Sequence, residues 1–144
     1  MDGTRGRHGA EAAVVTRATW PFLGHARPLA FAHRGGGKER PENTWAAFTH
    51  ARRLGYRYLE TDVHATSDGV VAVIHDPSLD RVSDRRGRVG DLRWSEVAAA
   101  RVAGDQPVPR LEELLSAWPD TRWNIDAKHD AVVEPLLRVL RGAG

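Results

Sequence analysis

An α/β fold on a parallel sheet is what this sequence predicts, and three observations predict it. Short apolar, β-branched runs alternate with segments of helical spacing, in the order β-α-β-hairpin-α-β-α. The dipeptide Asp68-Gly69 divides one apolar run, a hairpin signal because Gly supplies the positive φ of a tight turn. Polar chemistry stands at the C-terminal end of every strand: His33-Arg34, Glu60 with Asp62, and Asp126 with Lys128. Strands alternating with helices imply parallel pairing and right-handed crossovers. Such sheets gather ligands at the carboxyl ends of their strands.

The elements follow in order. Residues 1–28 read as an N-terminal tail and lead-in, partly disordered, because Gly, Arg, Thr and Ala show no apolar periodicity there. Leu29 to Ala32 reads as a buried strand ending at His33-Arg34-Gly35-Gly36-Gly37. Asn43 or Thr44 can cap a helix whose apolar positions are Ala47, Phe48, Ala51 and Leu54, with Gly55 as its stop. Tyr58 to Val63 is the second strand. With Asp68 and Gly69 as a two-residue loop, Asp62 falls opposite His75, and Glu60 shares their face. Pro77 to Pro109 is loop-rich, with a helical turn near 91–97. Leu111, Leu114, Leu115 and Trp118 mark an amphipathic helix stopped by Pro119. Arg122 to Lys128 is the next strand. Asp130 can cap a last helix, into which Pro135 fits poorly.

Length and composition narrow the function. A chain of 144 residues is one domain's worth and can bury a core. The absence of cysteine excludes disulfides, thiolate metal sites and a cysteine nucleophile. No apolar run approaches the roughly 20 residues of a membrane span, and the expectation is a soluble cytoplasmic protein. Net charge is +2. Five arginines fall between Arg81 and Arg93. With no aromatic among them before Trp94, they read as a solvated loop rather than the lesser alternative, a basic nucleic-acid-binding module, and no nucleic-acid partner is expected.

Glu60, Asp62 and Asp126 are three acids from two neighbouring strands. They repel one another unless a cation compensates, and oxygen-only ligands suit Ca²⁺ or Mg²⁺. The alternative for Asp126 is a salt bridge to Arg34 or Lys128. Glu42 could be a fourth ligand, orient a histidine, or only favour the helix N-terminus electrostatically. His33 and His75 on one rim can serve as general base and general acid. Arg34 can hold a phosphate-like anion by a forked contact. His64 lies further along the hairpin and reads as solvent-facing. Together these suggest phosphodiester hydrolysis or phosphoryl transfer.

The runs F-A-H-R-G-G, P-E-N-T, L-E-T-D-V-H-A-T-S-D-G, V-I-H-D-P-S-L-D-R and V-P-R-L-E-E-L-L resemble the glycerophosphodiester phosphodiesterase family, in order and spacing, from about Leu29 to Lys128. The resemblance implies a (β/α)₈ TIM barrel of the phospholipase-C-like phosphodiesterase type. It also implies a divalent cation, Ca²⁺ or Mg²⁺, and hydrolysis of small glycerophosphodiesters to glycerol 3-phosphate and an alcohol. By position, His33 and His75 resemble the catalytic pair and Glu60 and Asp62 the metal ligands. Asp126 stands where the family usually has a longer Glu. Arg34 and Lys128 resemble substrate-binding residues, and Glu42 the supporting acid of the P-E-N run. A full barrel takes about 250 residues. Residues 29–144 are therefore expected to be an incomplete barrel domain, its first three βα units with a hairpin after strand two. The same shortness implies a truncated form inactive alone, with a missing barrel half or self-association covering the sheet edge.

Overall fold

The computed structural model describes residues 21–24 and 28–143; most of the N-terminal tail lies outside them. Only Phe31–Ala32 of the first apolar run forms a strand, β1. Helix α1 (Trp45–Arg53) starts where Thr44 accepts a hydrogen bond from the Ala47 amide, at 3.2 Å. Its Ala47, Phe48 and Ala51 are buried, and Gly55 leaves the helix at φ 91°. Strand β2 (Tyr58–Ala65) follows, then β3 (Val71–Val73). Helix α2 (Trp94–Val97) and strands β4 (Arg101–Val102) and β5 (Gln106–Pro107) interrupt the long connection. Helix α3 (Leu111–Ala117), strand β6 (Arg122–Ala127) and helix α4 (Val133–Ala143) complete the order.

Strand β2 is the centre of the sheet. β1 pairs with its start in parallel, β3 pairs antiparallel with its end, and β6 runs parallel along the other edge. Leu59 and Val63 turn to one face. There they meet Phe48, Ala51, Leu111 and Leu114 of α1 and α3, and Val132. The opposite face carries Glu60, Asp62 and His64. At its foot, Tyr58 donates a hydrogen bond to the Phe22 carbonyl at 2.5 Å, which fastens the lead-in beneath the sheet. The result is an α/β fold on a four-stranded sheet with parallel pairing of β1, β2 and β6, as the alternation of strands and helices predicts.

Three local expectations are corrected. The hairpin pairs Val63 with Val73 and Ala65 with Val71, so its loop is Thr66–Val70 and Asp62 does not oppose His75. The Thr66 hydroxyl causes the slip: it donates to Asp68 Oδ1 at 2.7 Å and accepts from the Val70 amide at 3.0 Å, closing a longer loop than Asp-Gly alone. His64 is buried rather than solvent-facing. The last helix is led by a 3₁₀ turn capped by His129, whose Nδ1 accepts from the Ala131 amide, and not by Asp130. Pro135 then falls in the first turn of α4, where its missing N–H costs no helical hydrogen bond.

Residues 77–109 are more ordered than a loop. Leu79, Val89, Val97, Ala100, Val102 and Val108 pack with Ala72 and Ile74 of the hairpin into a second core. Among the described residues, no helix is long and apolar enough to cross a membrane.

Candidate active site

The site begins with a strained backbone. Arg34 has φ 52°, a left-handed value that costs a non-glycine residue about 1 kcal/mol or more. That conformation aims its amide at Glu60 Oε2, 2.8 Å away, while the Arg34 carbonyl accepts from the Asn43 amide at 3.0 Å. Gly35 follows at φ 74°, packed so closely on α1 that a Cβ would lie 2.8 Å from Phe48. The β1–α1 connection is thereby pressed onto the end of β2.

Asp62 is the buried centre, at 1% exposure. Its Oδ2 accepts from Asn43 Nδ2 at 2.9 Å. Arg34 Nε lies 3.1 Å from the same oxygen but off the hydrogen-bond line, so that contact is ionic in character. Lys128 Nζ approaches Oδ1 at 2.9 Å and Asp126 Oδ2 at 2.6 Å. Burial pushes the Asp62 carboxyl up, but Lys128, Asn43 and Arg34 outweigh it and hold it below the usual carboxylate range. The Asp126 and Asp62 carboxylates push the Lys128 ammonium up. β6 supplies Asp126 directly beside Asp62 in register, and Glu60 lies two residues earlier on the same face. The three acids therefore share one sheet face, and the salt-bridge alternative for Asp126 is the pairing present.

The histidines stand on two sides of this corner. His33 Nε2 lies 3.8 Å from Glu60 Oε2, with the side chain 72% exposed. His75 follows the end of β3, with Nδ1 2.7 Å from Asp76 Oδ1. A hollow of about 440 Å³ is lined by His33, Arg34 and Glu42. A separate one of about 540 Å³ is lined by His64, His75, Lys128 and His129. The two histidines, expected on one rim, thus line separate hollows among the described residues.

Glu42 accepts from Arg34 Nη1 at 3.3 Å and from Arg81 Nη2 at 2.6 Å. Burial raises its carboxyl, and Arg81 and Arg34 more than offset that, leaving it lowered. Glu42 thus bridges two guanidinium groups, a role outside the three readings open for it. Four residues of the site were not read as such from the sequence. Asn43 links Asp62 to Thr61, whose hydroxyl donates to its amide oxygen at 2.9 Å. His64 Nε2 lies 3.0 Å from the His75 carbonyl, and burial lowers its basicity more than that contact restores it. Asp76 and Arg81 stand inside the V-I-H-D-P-S-L-D-R run, which was the available signal.

The donor set fits a divalent cation. Three carboxylates share one face, and the Lys128 ammonium stands where those of Asp62 and Asp126 converge. Among the described residues, no three His, Cys, Asp or Glu side chains already surround one point.

Residues 33–137 match the sequence profile of the Glycerophosphoryl diester phosphodiesterase family. The chain is 44% identical to a protein of Mycobacterium tuberculosis named probable glycerophosphodiester phosphodiesterase 2, across 85% of this chain and 47% of that one. It superposes on a glycerophosphodiester phosphodiesterase from Agrobacterium tumefaciens with a TM-score of 0.76 and 31% identity, covering 82% of this chain and 54% of that one. A phosphodiesterase from Oleispira antarctica, solved with the product sn-glycerol-3-phosphate, aligns with a TM-score of 0.71 and 25% identity over 79% of this chain and 52% of that one. The chain thus spans about half the length of these relatives. Sheet, strand-end chemistry and profile agree, and the chain belongs to the glycerophosphoryl diester phosphodiesterase family.

Proposed function

We propose that these residues hydrolyse glycerophosphodiesters to glycerol 3-phosphate and an alcohol. The observation that carries this reading is the meeting of Arg34 and Lys128 over buried Asp62, between His33 and His75, in a chain of this family. Two basic side chains held by one carboxylate form a ready seat for a phosphodiester anion, which both can reach by turning outward. One histidine takes the proton of the attacking hydroxyl, from water or the substrate's own glycerol; in the second case a cyclic phosphate forms and water must then open it to glycerol 3-phosphate. The other returns a proton to the leaving alkoxide, so the pair ends with its protons exchanged. Glu60, Asp62 and Asp126 would hold a divalent cation, Ca²⁺ or Mg²⁺, which supplies positive charge to the phosphoryl oxygens when bound. Glu42 supports Arg34, and the strained Arg34 backbone keeps Glu60 turned toward the same rim.

The division of the two histidines between separate hollows favours a second reading, in which the 144 residues bind substrate but turn over poorly alone. The assay is release of glycerol 3-phosphate from glycerophosphocholine and glycerophosphoethanolamine, run on this chain and on a barrel-completed version. The completed form should release product, and His33→Ala or His75→Ala should lower the rate by about 10²–10⁴-fold. Robust release by the short chain as a monomer would sink the second reading. No release by either form would sink the first.

A further inference from the structure

We propose that Asp76 and Arg81 are positioning residues that fix the His75 ring and join it to the Arg34 side of the site. The meaning of this device for catalysis rests on the phosphodiesterase reading above; its geometry does not. Adjacent residues on a strand point to opposite faces. β3 ends at Val73, and the chain bends through His75 and Asp76, so both side chains turn to one side and meet at 2.7 Å. Pro77 disfavours a helical backbone at Asp76, so the chain does not wind into a helix after the bend.

Arg81 then takes both oxygens of Asp76, with Nε 2.5 Å from Oδ2 and Nη2 3.0 Å from Oδ1. The same Nη2 reaches Glu42 Oε1 at 2.6 Å, across 39 residues of sequence. Glu42 faces Arg34, and Arg34 faces Asp62. The result is an alternating chain of charges, from Asp62 through Arg34, Glu42, Arg81 and Asp76 to His75. An isolated exposed ion pair is worth little. Here each interior member serves two partners, so fixing one fixes the next. Arg81, more than the imidazole, holds the Asp76 carboxyl well below the usual range, so the charge facing His75 persists at working pH. A carboxylate at Nδ1 requires a proton on that nitrogen and leaves Nε2 free to exchange protons in the hollow. A ring held in the wrong tautomer loses up to about 10⁴-fold in rate where a histidine is the general base.

The test reads the ring directly. The full chain is labelled with ¹⁵N-histidine, and long-range ¹H–¹⁵N spectra are recorded at a pH where the imidazoles are neutral. Wild-type His75 should carry its proton on Nδ1. In Asp76→Asn, Arg81 keeps the amide oxygen and turns the NH₂ toward the ring, so the proton should move to Nε2. Asp76→Glu, with the same charge on a longer arm, should restore the Nδ1–H form. Persistence of that form in Asp76→Asn would overturn the proposal. The second arm is a cycle: Glu42→Gln should shift the His75 ring resonances in the wild-type background and leave them in Arg81→Gln. Equal shifts in both backgrounds, or none in either, would overturn the link to Arg34. Unchanged His50 and His129 signals report an intact fold. The tautomer switch together with no release of glycerol 3-phosphate by either this chain or the barrel-completed form overturns the phosphodiesterase reading alone; release without the tautomer switch overturns this one alone.

Discussion

Strands β2 and β6 lie side by side, run the same way and carry aspartates in register, yet their surroundings differ sharply. Six of the eight residues of β2 are buried, whereas none of the six in β6 is. Asp62 is 1% exposed and held by Asn43, Lys128 and Arg34; the Asp126 side chain is 53% exposed and, among the described residues, meets only Lys128. Residue type cannot account for this, since the two side chains are identical. Neighbours account for it. β2 has paired backbone on both edges, and β6 has it on one among the described residues. A carboxylate on a doubly flanked strand loses its water and must be satisfied by protein, and one on an open edge keeps its water.

The largest test of this contrast is truncation. Asp62→Ala leaves Lys128, Arg34 and the Asn43 amide without their shared acceptor, and should cost about 3 kcal/mol or more of unfolding free energy. Asp126→Ala removes an exposed partner and should cost less than about 1 kcal/mol. Urea titration measures both, and equal losses would break the comparison. Cation binding comes next. A divalent ion at a hundred times its Kd adds about 2.7 kcal/mol to the folded state. Millimolar Ca²⁺ or Mg²⁺ should raise the melting midpoint, more in Lys128→Met, where the competing ammonium is gone, and not in Asp62→Ala. An equal rise in all three would place the ion elsewhere. The smallest effect is at the edge itself. The amides of Arg122 and Lys128 point to β2, so by alternation those of Trp123, Ile125 and Ala127 point away. These three should exchange with solvent at least roughly tenfold faster than the β2 amides, a gap of about 1.4 kcal/mol. Protection of the three would show that another strand, from a second copy or a barrel-completing segment, covers the edge.

What the sequence made legible follows the same division. Apolar spacing placed α1, β2, α3 and β6, because local periodicity and burial agree there. Glu60, Asp62 and Asp126 could be assigned to one face because side-chain alternation is a local rule. The hairpin slipped by one position because the Thr66 hydroxyl competes with Asp-Gly for control of the loop. His64 was misjudged because its burial depends on His75 and on the residues around Lys128 and His129, all distant in sequence. The Arg81–Glu42 contact was invisible for the same reason: nothing local pairs residues so far apart. Asn43 read as a possible cap, yet Thr44 does the capping, which frees Asn43 to take φ 56° and reach Asp62.

The second core beneath residues 77–109 bears on how the site can vary. Its floor is Ala72 and Ile74, the side of the hairpin turned away from the α1 and α3 packing. The excursion therefore has a foundation of its own, and side chains along it can be exchanged without repacking the helices against β2. A scaffold divided in this way lets exposed side chains of residues 77–109 vary while the packing of α1 and α3 behind the strand-end charges stays fixed. The two cores can then be changed separately, and residues 77–109 can be exchanged as one continuous segment.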